Sequence, residues 1–400
     1  MLQNIEPQVV WEHFSQINSV PRPSKHEERI IHFMMKFGKD LSLHTQQDKA
    51  GNVIIKKPAT PGFENKKTVV LQSHLDMVHQ KNEDTDFDFN TQGIEMHVDG
   101  DWVKAKGTTL GADNGLGVAA IMSVLAADDI EHPPLEALFT IDEETGMTGA
   151  KHLDPNILEG EILLNLDTEE DDEIGIGCAG GVDVTATRFY IEESIPENTT
   201  SFQVIVKGLQ GGHSGMDIIK GLANANKILN RVLFNAHHNF NMRLSSFIGG
   251  GLRNAIPRES KATFVVLNDD VEAFKKSHQD LVQSIHAEFS SLEPHMKIVL
   301  EECETPKSVL SSDVQDMIIK SIYVAHNGVY RMSPDIDGLV ETSNNIAKIH
   351  IEKGKIVISC LTRSSVESGK WDLAHNLESA FDLAGCHVKL SGDYPGWTPN

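Results

Sequence analysis

Four segments of this chain put a metal-ligand residue type at, or just past, the C-terminal end of a short β-rich run, and no other feature restricts its fold as strongly. Thr68-Val69-Val70-Leu71-Gln72-Ser73 leads into His74 and Asp76, and residues 102–106 lead toward Gly111-Ala112-Asp113-Asn114-Gly115. Residues 135–141 end before Glu143 and Glu144, and residues 161–166 end at Asp167. In an open α/β sheet the ligand crevice lies outside the carboxyl ends of the strands. A sheet with these ends along one edge therefore collects one imidazole and several carboxylates there. Crowded carboxylates repel one another, so some are protonated or a cation neutralises them. Imidazole and carboxylate without thiolate point to zinc, with manganese or cobalt as substitutes. Enough ligands for a pair of ions would also acidify a shared water, the chemistry that hydrolyses amides.

The local spacings assign roles. In extended chain residues i and i+2 point the same way, so Asp76 is expected to reach the far ring nitrogen of His74 and fix its tautomer. Neighbouring glutamates in extended chain face opposite ways, which lets one of Glu143 and Glu144 bind metal while the other accepts the proton of the attacking water. Gly111 and Gly115 flank Asp113 where the backbone can approach an ion, and Asn114 is placed to open the next helix. Each motif alone has a bland reading: a surface His-x-Asp pair, a solvated double glutamate at a helix start, an Asp that caps or turns the chain. Four coincidences at one sheet edge favour the joint reading.

The intervening pattern supplies the sheet. Residues 8–19 have helical apolar spacing, Pro21 and Pro23 interrupt it, and Ser24-Lys25-His26-Glu27 reads as a capping box opening a second helix. Strands 68–73, 102–106, 135–141 and 161–166 then alternate with helices 114–127 and 147–153, the grammar of an α/β fold with a mixed sheet flanked by helices. Residues 201–300 read as strand, helix, strand, strand, helix, strand, an α+β unit of βαββαβ type, and residues 311–391 repeat most of it. The polar stretch Glu192-Glu193-Ser194-Ile195-Pro196-Glu197-Asn198 breaks the strand pattern near the boundary. The expected domains are 1–185 and 186–396, with 397–400 a stub.

Composition removes several partners. With 35 basic against 58 acidic residues, a formal charge of −23 opposes a nucleic-acid surface. No apolar run of about 18 residues is present, and the first residues lack the pattern of a signal peptide, so no membrane partner is expected. Cys178, Cys303, Cys360 and Cys386 show no CxxC spacing, which fits a reducing cytoplasm.

Taken together, these stretches resemble the dinuclear zinc peptidases that include glutamate carboxypeptidases, aminoacylases and carnosinases. The resemblance rests on the segments around His74, Asp113 and Glu143, on Asn165-Leu166-Asp167-Thr168-Glu169-Glu170 and Gly177-Cys178-Ala179-Gly180-Gly181, and on Gly211-Gly212-His213-Ser214-Gly215 and Leu252-Arg253-Asn254-Ala255-Ile256-Pro257-Arg258. It implies that His74, Asp113 and Asp167 hold one zinc and that Asp113 bridges to a second zinc held also by Glu144. Glu143 would be the general base that later protonates the leaving amine, with Asp76 orienting His74. The second domain would be an inserted lid that also mediates homodimerisation. His213 would stabilise the tetrahedral oxyanion, after lid closure or from a partner subunit. Asn254 would assist substrate binding, and Arg363 would grip the substrate's C-terminal carboxylate.

The expected reaction is hydrolysis of unblocked dipeptides, Xaa-His and others, with two zinc ions per subunit in the complete enzyme. The alternatives are an N-acyl amino acid deacylase on the same scaffold and a non-catalytic dimerisation or binding protein. Relatives return to the catalytic domain after a segment like Asp393-Tyr394-Pro395-Gly396-Trp397 and supply a last zinc-binding histidine there. This sequence stops at Asn400. The second zinc is therefore expected to rest on Asp113 and Glu144 alone, part of the sheet to lack its cover, and activity of the 400 residues by themselves is left open.

Overall fold

The computed structural model of the chain describes residues 5–82, 84–154, 156–168, 174–397 and 399. Glu169 and Glu170 of the matched acidic segment, and positions 398 and 400 of the expected stub, lie outside the described residues. The chain divides into two compact units, Met1–Glu173 and Ile174–Asn400.

The first unit opens with α1 (Gln8–Asn18) and α2 (Glu28–Asp40), followed by β1 (His44–Gln47), β2 (Val53–Lys57) and β3 (Val69–His74). A hairpin of β4 (Met96–Asp99) and β5 (Trp102–Ala105) precedes α3 (Ala112–Ala126), β6 (Leu135–Thr140), α4 (Thr148–Lys151) and β7 (Ile162–Asn165). Among the described residues the main sheet has the order β1-β2-β6-β3-β7. β3 runs parallel to β6 and β7, whereas β2 is antiparallel to β6 and β1 to β2, so the sheet is mixed. The expected strand at 102–106 is not part of it: β5 pairs with β4 in a separate ribbon, and Asp113 arrives on the first turn of α3.

Side-chain alternation along β3 explains the layers. Leu71 joins a core with Phe14 and Ile17 of α1, Ile30 and Met34 of α2, and Val118 and Met122 of α3. Burying each such large apolar side chain contributes about 1.5–3 kcal/mol. Val70 faces the other way and meets Ile54 and Leu138, with Leu153, Ile157 and Leu158 packed against them. Cover by helices is thus uneven, thick on one face and thin on the other. At the edge, Ile162, Leu163 and Leu164 of β7 are exposed.

The expected capping box does not form. α2 starts at Glu28 without a side-chain cap, Ser24 is turned toward Asp76, and Glu27 Oε1 accepts the amides of Lys25 and Asp142.

The second unit contains β8 (Gly180–Phe189), β9 (Glu192–Glu193), β10 (Thr199–Lys207), β11 (Gly212–His213), α5 (Ala225–Phe240), β12 (Arg243–Gly250), β13 (Ala255–Ile256), β14 (Ser260–Leu267), α6 (Val271–Phe289) and β15 (Lys297–Glu302). It continues with β16 (Val309–Leu310), α7 (Ser312–Val324), β17 (Gly328–Met332), β18 (Val340–Glu352), β19 (Lys355–Ser364), α8 (Glu367–Asp382) and β20 (His387–Tyr394). Its main sheet has the order β15-β10-β14-β12-β18-β19-β8-β20, with β17 beside β18, and its pairings are antiparallel.

Two βαββαβ halves meet at the β12–β18 seam. The first is β10-α5-β12-β14-α6-β15. The second has the same order and mirrored placement as β8-α7-β18-β19-α8-β20, so its opening strand precedes the whole first half in sequence. The sequence-based boundary at 185 falls inside β8, which pairs with β19 and β20; the compact division lies at 173/174 instead. Lys227 of α5 ties the two halves together by donating to the carbonyls of Ile322, Tyr323 and Ala325 at 2.9, 2.8 and 2.9 Å. A cation there satisfies the open C-terminal carbonyls of α7. Burial lowers its pKa to about 8.

Candidate metal centre

The parallel strands set the first positions. His74 is the last residue of β3 and pairs with Thr140, the last residue of β6, so the chain leaving both strands enters the same region. After β6 the residues Glu143 and Glu144 sit in a turn, not in extended chain as the spacing argument assumed. Their amides explain the turn: Glu143 N–H donates to Asp76 Oδ1 at 3.0 Å and Glu144 N–H to Asp76 Oδ2 at 3.3 Å. The Ser24 hydroxyl donates to the same Oδ2 at 2.8 Å. Asp76 is fully buried, which opposes its ionisation, yet His74, the Glu143 amide and Ser24 hold its carboxyl below the ordinary carboxylate range.

His74 is pinned from behind. Its Nδ1 lies 3.3 Å from Asp76 Oδ1 and 3.1 Å from the Asp76 carbonyl oxygen. Nε2 faces Asp113 Oδ1 at 3.0 Å and Asp167 Oδ2 at 3.8 Å. Burial disfavours the imidazolium, but Asp113, Asp76 and Asp167 outweigh it and push the pKa up to about 10. Asp113 and Asn114 leave helical geometry within the first turn of α3. Asn114 Nδ2 then donates to the Leu166 carbonyl at 3.1 Å and to Asp167 Oδ1 at 2.6 Å, which locates the carboxylate that follows β7.

The structure therefore brings His74, Asp113 and Glu144 together, and His74, Glu143 and Asp167, with the ligand atoms of each set within 4.8 Å of one another. Crowding has an electrostatic cost. Burial and the charge of Asp113 push Glu144 up to about 7, and burial likewise raises Glu143 and Asp167, in each case against the lowering effect of His74. A divalent cation removes that cost by stabilising every ionised carboxylate at once. The donors fit one: zinc bonds of about 2.0–2.2 Å in a tetrahedral array separate ligand atoms by roughly 3.3–3.6 Å, a spacing bracketed by the 3.0 and 3.8 Å contacts of His74 Nε2.

A second group of expected residues gathers within the second unit. His213 on β11 pairs with Ala255 on β13, and Ser214 N–H donates to the Asn254 carbonyl at 2.7 Å. His213 Nδ1 accepts the amides of Gly215 and Met216 at 3.3 and 3.2 Å, which leaves Nε2 to carry the proton of the neutral ring. Arg363 on β19 donates from Nη1 to the Tyr394 hydroxyl at 2.9 Å, and its buried Nε has no hydrogen-bond partner among the described residues. A methyl placed on Gly215 would lie 3.1 Å from the His213 ring and 3.5 Å from Arg363 Nε, so the two side chains flank one glycine. Asn345 Nδ2 holds the neighbouring loop by donating to the carbonyls of Arg253 and Ala255.

Sequence reasoning missed Arg22, Ser24, Asn114 and Asn345 as supports. Ser24 reads from sequence as part of a capping box, and nothing local to Pro21-Arg22-Pro23 points to the contacts of Arg22 with residues 75, 76 and 111.

The profile of Peptidase family M20/M25/M40 matches residues 70–357. The chain is 43% identical over 399 residues to the cytosol non-specific dipeptidase of Escherichia coli (strain K12), covering 100% of this chain and 82% of that protein. The crystal structure of aminoacylhistidine dipeptidase from Vibrio alginolyticus superposes with a TM-score of 0.87 at 43% identity, again covering 100% of this chain and 82% of the other. A Bacillus subtilis (strain 168) protein, the uncharacterized YqjE, is 30% identical over 170 residues, 40% of this chain and 42% of its own.

Proposed function

The chain belongs to peptidase family M20/M25/M40, and from that premise we propose that it hydrolyses unblocked dipeptides, Xaa-His among them, at a two-zinc centre built on His74, Asp113, Glu144 and Asp167. The carrying observation is the convergence of one buried imidazole and four carboxylates beyond the parallel strands, in a chain 43% identical to two dipeptidases. His74, Asp113 and Asp167 would hold one ion, and Asp113 and Glu144 would serve the other. When bound, the ions polarise the scissile carbonyl and acidify water.

The residues around them do the rest. Asp76 keeps the proton of His74 on Nδ1 and leaves Nε2 as a ligand. Glu143, raised by burial, takes the proton of the attacking water and returns it to the leaving amine. On the second unit, His213 offers Nε2–H to the tetrahedral oxyanion, Asn254 binds substrate and Arg363 pairs with its terminal carboxylate. Zinc, with manganese or cobalt as substitutes, a cytosolic location and a homodimer formed through the second unit as lid complete the reading. All four cysteines are free, and no helix among the described residues is long and apolar enough to cross a membrane.

The test is turnover of unblocked dipeptides beside N-acetylated amino acids, before and after chelation and metal return. Hydrolysis of the former alone, abolished by chelator and restored by zinc, is expected. Preference for the N-acetylated substrates would make the protein a deacylase. Turnover that survives chelation would remove the metal from the reading.

A further inference from the structure

Arg22 lies in the turn between α1 and α2, and its side chain is the largest of those buried to within 2% of complete exclusion from solvent. Nη1 donates to the carbonyls of Leu75 and Asp76 at 3.1 and 3.2 Å. Nη2 donates to the Gly111 carbonyl at 2.5 Å and to Asn18 Oδ1 at 3.0 Å. One guanidinium therefore joins the loop leaving β3, which carries His74 and Asp76, to the turn entering α3, which carries Asp113. Its own carbonyl accepts Met77 N–H at 3.2 Å, so backbone and side chain grip the same loop.

The glycines around Asp113 record this packing. A Cβ at Gly111 would sit 2.5 Å from Arg22 Nη2, and one at Gly115 would sit 2.7 Å from the same atom. Gly111 also has a φ of +71°, open to glycine at little strain. The two glycines that the sequence suggested for close approach of an ion are instead needed by a guanidinium. A buried cation is costly unless opposite charge offsets its desolvation; this one faces the carboxylates of Asp76, Asp113 and Glu144, and of its nitrogens only Nε has no hydrogen-bond partner among the described residues.

We propose that Arg22 is a positioning residue for the metal centre: it acts through the backbone at Asp76 and Gly111 to fix His74 relative to Asp113, and it offsets part of the carboxylate charge. Metal affinity then depends on a side chain that is no ligand. The inference rests on the reading of His74, Asp113, Glu144 and Asp167 as ligands. Lysine cannot substitute, because a compact ammonium lacks the planar fork that reaches carbonyls on two separate loops.

The experiment is zinc equilibrium dialysis and the cobalt(II) absorption spectrum of the full chain, for the wild type, Arg22→Lys, Arg22→Met and, as a control, Lys227→Met, with circular dichroism to report folding. Supports of this kind change metal affinity by about 10- to 100-fold. Arg22→Lys is expected near the lower end and Arg22→Met near the upper, with the cobalt bands displaced in both. Lys227→Met, which only loosens the second unit, should leave affinity and bands unchanged. A wild-type chain that takes up no zinc overturns the ligand reading and this inference with it. Uptake by the wild type with the same affinity and bands in both Arg22 variants overturns this inference alone. Should Arg22→Met fail to fold, wild-type behaviour of Arg22→Lys is enough to overturn it.

Discussion

Around His74 the carboxylates of Asp76, Asp113, Glu143, Glu144 and Asp167 share a single imidazole, whereas in the second unit the fully buried Lys370 meets Glu367 Oε2 at 2.9 Å, Asp393 Oδ1 at 2.6 Å and the Tyr394 carbonyl at 2.9 Å. Lys227 is likewise matched, by three carbonyls. The first arrangement is poor as architecture, since it leaves like charges crowded, with burial raising the pKa of Glu143, Glu144 and Asp167. The second is a closed set of partners. Charge in surplus marks the place where something else is to be bound, and charge in balance marks a joint.

That contrast can be broken most sharply at Glu143. Glu143→Ala should reduce dipeptide turnover by about 10³-fold, within the usual range for a general base, while zinc content by dialysis stays at the wild-type level. Intact turnover would remove the proton-transfer role.

Acid should find the second unit through His278. Its ring packs near Phe274, Nδ1 has no partner among the described residues, and burial lowers its pKa from 6.5 to about 4. The folded state keeps the ring neutral, and the unfolded chain takes up a proton below about 6.5. Stability is therefore full above 6.5, falls as pH drops toward 4, and levels off below, a loss of at most about 3 kcal/mol. Urea unfolding at pH 7 and pH 4.5 measures it, and His278→Leu should flatten the slope.

Removing the donor that fills three buried carbonyls should destabilise, even though burial disfavours the charge of Lys227. Lys227→Met strips three carbonyls of their donor and is expected to cost about 2–3 kcal/mol, read as a lower urea midpoint with metal binding preserved.

Removing a surplus charge should do the reverse. In metal-free protein at pH 8, Glu144→Gln is expected to raise stability by about 1 kcal/mol, a small figure because a half-exposed carboxylate is screened. The sign follows from its pKa, raised from 4.5 to about 7: the ionised form is disfavoured in the fold, so stability is lost as pH rises from 4.5 through 7. If Glu144→Gln destabilises the metal-free chain as Lys227→Met does, the distinction between the two regions fails.

Much of this was legible in the residues. Short β-rich runs located β3, β6 and β7, and the polar residues beyond them named the cluster, because a strand's end is a local property. Partners distant in sequence were not legible. Ser24 and Glu27 have the spacing of a capping box, and only the fold reveals that Asp76, Lys25 and Asp142 claim them. Glu143 and Glu144 turn rather than extend because Asp76 collects their amides, again a long-range contact. Residues 102–106 do form a strand, but nothing in their pattern says which sheet takes them. The repeat in the second unit was visible only from 311 onward, since its first strand lies on the far side of another copy.

That displaced strand has a consequence during synthesis. β8 leaves the ribosome long before β19 and β20, the two strands it pairs with. At about 5–20 residues per second, their arrival takes on the order of ten seconds or more. Throughout that interval Val182, Val184 and Ala186, all destined for the core, have no native neighbour in the sheet. The nascent chain therefore carries an unpaired apolar ribbon while an entire βαββαβ half is completed after it.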